Sequence, residues 1–280
     1  MFFFILRYVT LITPADWCFK IWSIIGIGEL CTLYCCVMYA NHESDLFKKI
    51  FCITNLLSSL WSMLFTRQYI VLSSLTLPLI SISLKFALDA IQYGAIISSW
   101  STRMQLLCIV PIKIHFAFIL IASSLNLNVL LVSTMIHHNI HNKQIEYYMA
   151  QMTLWALGLF SLFQIIYFDD NFYSIISIWG LAAISDKTKH KKYKSNTEKV
   201  INQSIELTCL LLISCLSLTG LFKQFGPKLK NGSLVSESGN NVVSYGETIL
   251  PLSMLVLFVL TFHIVIGHSI LKRPFETFSK

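Results

Sequence analysis

Long apolar runs separated by short polar stretches recur along the chain, and each run has the length a helix needs to cross about 30 Å of hydrocarbon. Windows of this kind fall at 17–40, 50–66, 69–88, 112–136, 148–168, 172–186, 204–222 and 249–271, the sixth being short. The pattern predicts an all-α fold, a polytopic transmembrane helix bundle of about eight spans without a soluble domain. At the first window Thr13-Pro14-Ala15-Asp16-Trp17 reads as a helix start. Pro14 lacks an N–H that would be orphaned there in any case, and Thr13 or Asp16 is suited to accept from the free donors of the first turn. The stretch 89–105, with Ser98, Ser99, Trp100 and Arg103, is polar enough to predict an interfacial connector. Met1 to Ile12 is apolar but too short to span, and it lacks the basic flank and small-residue cleavage site of a signal peptide.

Composition extends the same picture to the whole chain: 55% of the 280 residues are hydrophobic and 12% charged, with a mean hydropathy of +0.66. A soluble domain carries about twice that share of charge. The net charge of +7 does not signal nucleic acid, because six of the 21 basic residues (Lys187, Lys189, Lys191, Lys192, Lys194 and Lys199) share one segment with no interleaved aromatic fold around it. The positive-inside rule predicts that this loop is cytoplasmic. Alternation then brings both termini, Arg67, Lys143, Lys272 and Arg273 to the same side, and Lys48, Lys49, Arg103, Lys223, Lys228 and Lys230 to the other. Of the two sequons, Asn231-Gly232-Ser233 falls on the non-cytoplasmic side and Asn202-Gln203-Ser204 on the cytoplasmic edge.

The candidate chemistry is aromatic. Trp17, Trp22, Trp61, Phe118 and Trp179 are suited to line a cavity between helices, where flat rings stack on a planar ligand or clamp a sterol. The same rings are equally suited to the interfacial belt at span ends or to packing. Counting helical rise, Trp22 lies about 7 Å from one end of the first span and Trp61 about 16 Å along the second from the opposite face. The two are therefore predicted at similar depth as the ligand-facing pair, with Trp17 a rim or belt residue. Asn55 and Asn126 sit inside apolar spans, so each amide is predicted to bond a neighbouring helix and together to hold spans two and four in register. Glu29 and Glu206 are carboxyls at membrane depth, Glu29 beside a small-residue patch of Gly26 and Gly28 that admits another helix, with only Lys20 and Lys85 as cationic candidates. Lys85 and Asp89 have the spacing of a helix-face pair. His115 is placed either to face the cavity or to be a plain interfacial histidine. His137, His138 and His141 lack the glutamate of a His-Glu-x-x-His site and read as a juxtamembrane turn. Cys18, Cys31, Cys35, Cys36, Cys52, Cys108, Cys209 and Cys215 fall almost wholly inside spans, as packing thiols and neither disulfides nor metal ligands. The sequence contains no Walker loop, dinucleotide fingerprint, nucleophile elbow or redox Cys-x-x-Cys, so the chain reads as a non-enzyme with no catalytic residue, no metal and no bound cofactor.

Three blocks in order resemble the translocator protein and bacterial tryptophan-rich sensory protein family, in its longer TspO/MBR-related branch. They are Pro14-Ala15-Asp16-Trp17-Cys18-Phe19-Lys20-Ile21-Trp22, then Asn55-Leu56-Leu57-Ser58-Ser59-Leu60-Trp61, then Pro111-Ile112-Lys113-Ile114-His115-Phe116-Ala117-Phe118 leading to Ala122-Ser123-Ser124-Leu125-Asn126. Ala117 and Phe118 stand where the family usually has Gly and Trp, which removes an indole donor. A fourth block, Ile178-Trp179-Gly180-Leu181-Ala182-Ala183-Ile184, is similar to a signature of the longer members.

The resemblance spans 14–186 and implies a helix ahead of the Pro-Ala block, for which only Met1 to Thr13 stands here. The expected organisation is a TspO/MBR-like helical core at 1–186 short of its usual first helix, a basic cytoplasmic loop at 187–200, and two additional transmembrane helices at 201–280. The resemblance implies a multi-pass membrane protein that binds or senses a hydrophobic, porphyrin-like or sterol-like ligand through Trp17, Trp22, Asn55, Trp61, His115, Phe118 and Asn126. A secondary transporter and a seven-helix receptor are the alternatives. No inverted repeat supports the former, and the Asp/Glu-Arg-Tyr and Asn-Pro-x-x-Tyr motifs of the latter are missing. The expected partners are membrane lipid and a small hydrophobic ligand, with no nucleic acid; a homodimer is compatible with the sequence.

Overall fold

The computed structural model describes residues 10–39, 45–93, 102–140, 142–168, 171–191, 193 and 195–230. Within them the chain forms a 3-10 turn at Asp16–Lys20 and seven helices: α1 Ile21–Tyr39, α2 Asp45–Thr66, α3 Ile70–Tyr93, α4 Thr102–His137, α5 Lys143–Phe168, α6 Asn171–Lys189 and α7 Asn196–Lys230. The fold is the expected all-helical bundle. Among the described residues six of the seven helices are long and apolar enough to cross a membrane, α6 being the exception. The window 249–271, the Asn231 sequon, the tail Lys272 and Arg273, His141, and 94–101 of the predicted connector lie outside the described residues.

The local starts and stops differ from expectation in two places. The first helix is entered through the 3-10 turn with Ala15 as its cap residue and no side-chain cap, because the Thr13 hydroxyl instead donates back to the Thr10 carbonyl at 3.1 Å and the Asp16 carboxylate pairs with Lys187. α4 does not begin after Pro111 but at Thr102, and it runs through the proline. A proline inside a helix removes one donor. The donor lost is the one to the Leu107 carbonyl, and beside it the Thr32 hydroxyl of α1 lies 3.0 Å from its own Gly28 carbonyl and 3.3 Å from the Cys108 carbonyl of α4, a polar contact between the two helices next to the proline.

α4 is the central element, packing on α1, α3, α5 and α6, while α2 lies on α3 and α6 lies on α7 and α5. One apolar cluster joins α2, α3 and α4 through Phe47, Phe51, Trp61, Leu77, Leu84 and Ile119. Another joins α5, α6 and α7 through Leu154, Leu162, Leu181, Ile184, Ile205 and Leu212. The outer surface is just as apolar: along α3, Val71, Leu75, Leu79, Ile82 and Phe86 are exposed while Leu77, Ile80, Leu84 and Ile91 are buried. A surface of that kind suits a lipid solvent and would aggregate in water. Ten of the 19 residues of α6 are buried, so the shortest apolar window is an interior helix. It continues through Lys189, and α7 begins at Asn196, so much of the basic segment belongs to helix ends.

Hydroxyl groups inside the bundle are bonded first to their own helix. Thr54, Ser58, Thr76, Ser81, Ser123, Ser161, Thr188 and Thr208 each donate to the carbonyl four residues earlier. That bond makes a hydroxyl tolerable away from water. Several also cross between helices: Ser161 meets Ser177 at 2.6 Å, the Thr208 hydroxyl lies 3.0 Å from the Gln151 side-chain amide, and Tyr147 meets Ser204 at 2.9 Å.

Candidate ligand site between α1, α2 and α4

The register of α1 against α4 is set by a glycine. A Cβ placed on Gly28 would lie 2.6 Å from the Cβ of Pro111, so only glycine permits this approach, whereas Gly26 faces open space. Half of the expected small-residue patch thus makes the contact. With that register fixed, Glu29 and His115 meet: His115 Nδ1 lies 2.6 Å from Glu29 Oε1, with the histidine 1% and the glutamate 8% exposed. The partner of the intramembrane carboxyl is therefore a histidine and neither Lys20 nor Lys85, the latter being bonded to Asp89 as its spacing predicts. A proton held between Nδ1 and Oε1 lets each group satisfy the other away from water. His115 Nε2 is buried with no hydrogen-bond partner.

Three of the predicted site residues, Trp22, Trp61 and Phe118, gather around the fourth, His115. Trp22 stacks on Trp61 with ring centroids 5.8 Å apart and planes 28° apart, and its edge contacts reach His115 at 5.5 Å and Phe118 at 5.3 Å. Trp61 in turn stacks on Phe65 at 5.3 Å and 20°. Trp22 and Trp61 thus meet at one level of the bundle, the relation that helical rise predicts. Beside them is a cavity of about 60 Å³ lined by Trp61, Phe65, Phe118 and Asn126, with Thr10, Ile12, Thr13, Pro14, Cys18 and Phe19 contributed by the segment that precedes α1. Trp61 Nε1 is buried and has no hydrogen-bond partner.

Trp17 belongs elsewhere. Its ring meets Trp179 edge-on at 5.0 Å and 84°, its Nε1 donates to Asp186 Oδ2 at 2.9 Å, and Trp179 Nε1 donates to the Cys18 carbonyl at 3.2 Å. Lys187 lies 3.4 Å from Asp16, and the Ala15 amide donates to the Ala183 carbonyl at 2.9 Å. Together these bonds fasten the opening segment to the end of α6.

The two asparagines part company. Asn126 Nδ2 donates to Ser73 Oγ at 3.0 Å, an interhelical bond that ties α4 to α3 and not to α2. Asn55 Nδ2 donates to the Phe51 carbonyl at 3.0 Å within its own helix, contrary to the expected bond to a neighbouring span. The reason is positional: Asn55 is half-buried, and its own i−4 carbonyl is the nearest acceptor.

Sequence reasoning noted Glu29 and His115 singly and missed that they meet. The two are 86 residues apart, and no spacing rule links them. It also missed Phe65, for which an amphipathic pattern gives no signal in a chain apolar on all sides. A family model described as TSPO-like protein matches residues 5–222, well over half of the chain and past the end of α6 into α7. No curated protein and no solved structure matches it.

Proposed function

The chain belongs to the TSPO-like protein family and is a multi-pass integral membrane protein, and from that premise we propose that it binds or senses a planar hydrophobic ligand of tetrapyrrole or sterol type between α1, α2 and α4. The supporting observation is the Trp22–Trp61 stack beside a cavity, backed by a buried Glu29–His115 pair. Stacked indoles offer a flat, polarisable face that suits fused rings. An ionisable pair at membrane depth is costly and is characteristically tied to function. The family is generally not catalytic, and the activity proposed is binding, not turnover.

The cavity is smaller than the ligand this reading requires. A drug-sized molecule fills about 300–1,000 Å³, whereas this space is about 60 Å³. Binding therefore requires the Thr10–Phe19 wall to move outward, and that wall is anchored at its α6 end through Ala15 and Trp17 and near its start through the Leu11 amide, which donates to Glu146 Oε1 at 3.2 Å. Titrating the purified protein with protoporphyrin and with a sterol, read by tryptophan fluorescence, tests the reading. Saturable quenching by at least one of them is expected, and it should vanish when Trp22 and Trp61 are both replaced by leucine while membrane insertion persists. Linear, non-saturating quenching in the native protein by both compounds would refute it.

A further inference from the structure

At the end of the bundle where α6 stops and α7 starts, the carboxylates are already committed. Asp186 accepts from the Trp17 indole at 2.9 Å and lies 3.4 Å from His190. Asp16 lies 3.4 Å from Lys187, Glu198 pairs with Lys143, and Glu146 accepts from the Leu11 amide at 3.2 Å. Lys189, Lys191 and Lys199 are exposed and have no acidic partner among the described residues. Cations elsewhere are held by the bundle itself: Lys223 donates to the Ile165 carbonyl at the end of α5, and Lys113 lies over the Phe172 ring at 5.7 Å.

The rings beside these lysines mark their level in the membrane. Trp17 and Trp179 meet at this end, and Tyr193 is half-buried with its hydroxyl donating to the Thr188 carbonyl at 3.1 Å. Aromatic rings with one polar edge settle in the headgroup layer. The Trp17 bond to Asp186 puts that layer at Asp186, and Lys189 is three residues on, about 4.5 Å by helical rise. The Lys191 amide donates to the Thr188 carbonyl at 3.3 Å, so Lys191 stays against the end of α6, and Lys199 lies in the first turn of α7. These ammonium groups are thus within a screening length, about 8 Å, of the lipid phosphates.

We propose that Lys189, Lys191 and Lys199 form a docking surface for the phosphate groups of anionic lipid in the leaflet at this end of the bundle. The argument is charge complementarity. Ammonium groups without counter-ions in the protein attract an anionic headgroup, whereas a zwitterionic headgroup brings no net charge to match them. A free phosphate ion offers the same oxygens, but a lipid is already held at that depth by its acyl chains, which raises its effective concentration. The surface does not depend on what occupies the cavity.

The test uses the full chain in micelles of an uncharged detergent. The probes are a phosphatidylserine and a phosphatidylcholine with the same pyrene-bearing acyl chains, read by energy transfer from tryptophan. At low salt phosphatidylserine should bind saturably and about a hundredfold more tightly, about fivefold per lysine. At about 1 M salt, where the screening length falls to about 3 Å, most of that preference should vanish. Replacing the three lysines together by glutamine should bring the two lipids to equal affinity, and replacing them by arginine should keep the preference. Lys49 is exposed near the start of α2, at the far end of the bundle, and Lys49→Gln is the control that should change nothing. Equal binding of the two lipids by the native protein would overturn the proposal, as would a preference that survives the triple glutamine variant or is lost in Lys49→Gln. Displacement of phosphatidylserine by inorganic phosphate at equal concentration would mean a simple anion site and overturn the lipid assignment. Should the triple glutamine variant fail to fold, the single variants decide: each should lower the preference about fivefold, and no change in any of them would refute the surface.

Discussion

Two pairs of indoles grow out of the same ten residues of chain and end in opposite chemical states. Trp17 pairs with Trp179 edge-on, and both N–H groups have acceptors, one a carboxylate and one a backbone carbonyl. Trp22 pairs with Trp61 face to face, and the Trp61 N–H has none. The first pair pins the opening segment to α6. The second leaves hydrogen-bonding capacity unused in the middle of the bundle, next to an ionisable pair and a cavity. A membrane interior offers no water to make up the difference, so an unfilled donor there is a more telling feature than an aromatic ring as such.

The largest effects are expected on the Trp22–Trp61 side of the bundle. His115→Leu removes one member of a buried pair and leaves Glu29 without its partner, and a loss of about 3–5 kcal/mol is expected. Thermal unfolding in micelles would show it, and Glu29→Gln, which keeps a hydrogen-bonding group, should cost clearly less. An unchanged midpoint for His115→Leu would refute the pairing. Next in size, Gly28→Ala forces α1 away from Pro111 and should cost about 1–3 kcal/mol as overpacking, with the near-ultraviolet dichroism of the stacked indoles reduced. Ala at Gly26, where a Cβ meets nothing within 4 Å, is the matched control and should be silent.

The other pair predicts a contrast between two identical substitutions. Trp17→Phe removes a bond to a carboxylate and should destabilise by about 1–2 kcal/mol, an effect that Asp186→Leu reproduces and does not add to. Trp61→Phe removes a donor that bonds nothing, so in the absence of ligand it loses ring packing alone and no hydrogen bond, and it should show no non-additive coupling to any acceptor substitution. Equal coupling in the two cases would erase the distinction between the pairs. The smallest stability effect expected of an interhelical bond is at Asn126→Leu, about 0.6 kcal/mol by the average for such bonds in membranes, measured by unfolding in mixed micelles. A double-mutant cycle with Ser73→Ala would assign that loss to the bond itself.

The amino-acid sequence by itself determined that the chain is helical, multi-pass and apolar inside and out, because spanning hydrocarbon demands runs of a set length and composition, and such runs are visible without any knowledge of packing. It also set Trp22 and Trp61 at one depth, since helical rise is a fixed quantity along each span. What it left undecided was which face of each helix turns inward. In water a helix declares its buried side by polarity; in lipid both sides are apolar, as α3 shows with leucines and isoleucines on its buried and its exposed side alike. Tertiary packing decided that, through contacts such as Gly28 on Pro111. The meeting of Glu29 with His115, the retreat of Asn55 to its own helix and the union of Asn126 with Ser73 all follow from helix rotation and register. A rotation of one residue, about 100°, would exchange every partner while leaving the hydropathy of the chain unchanged.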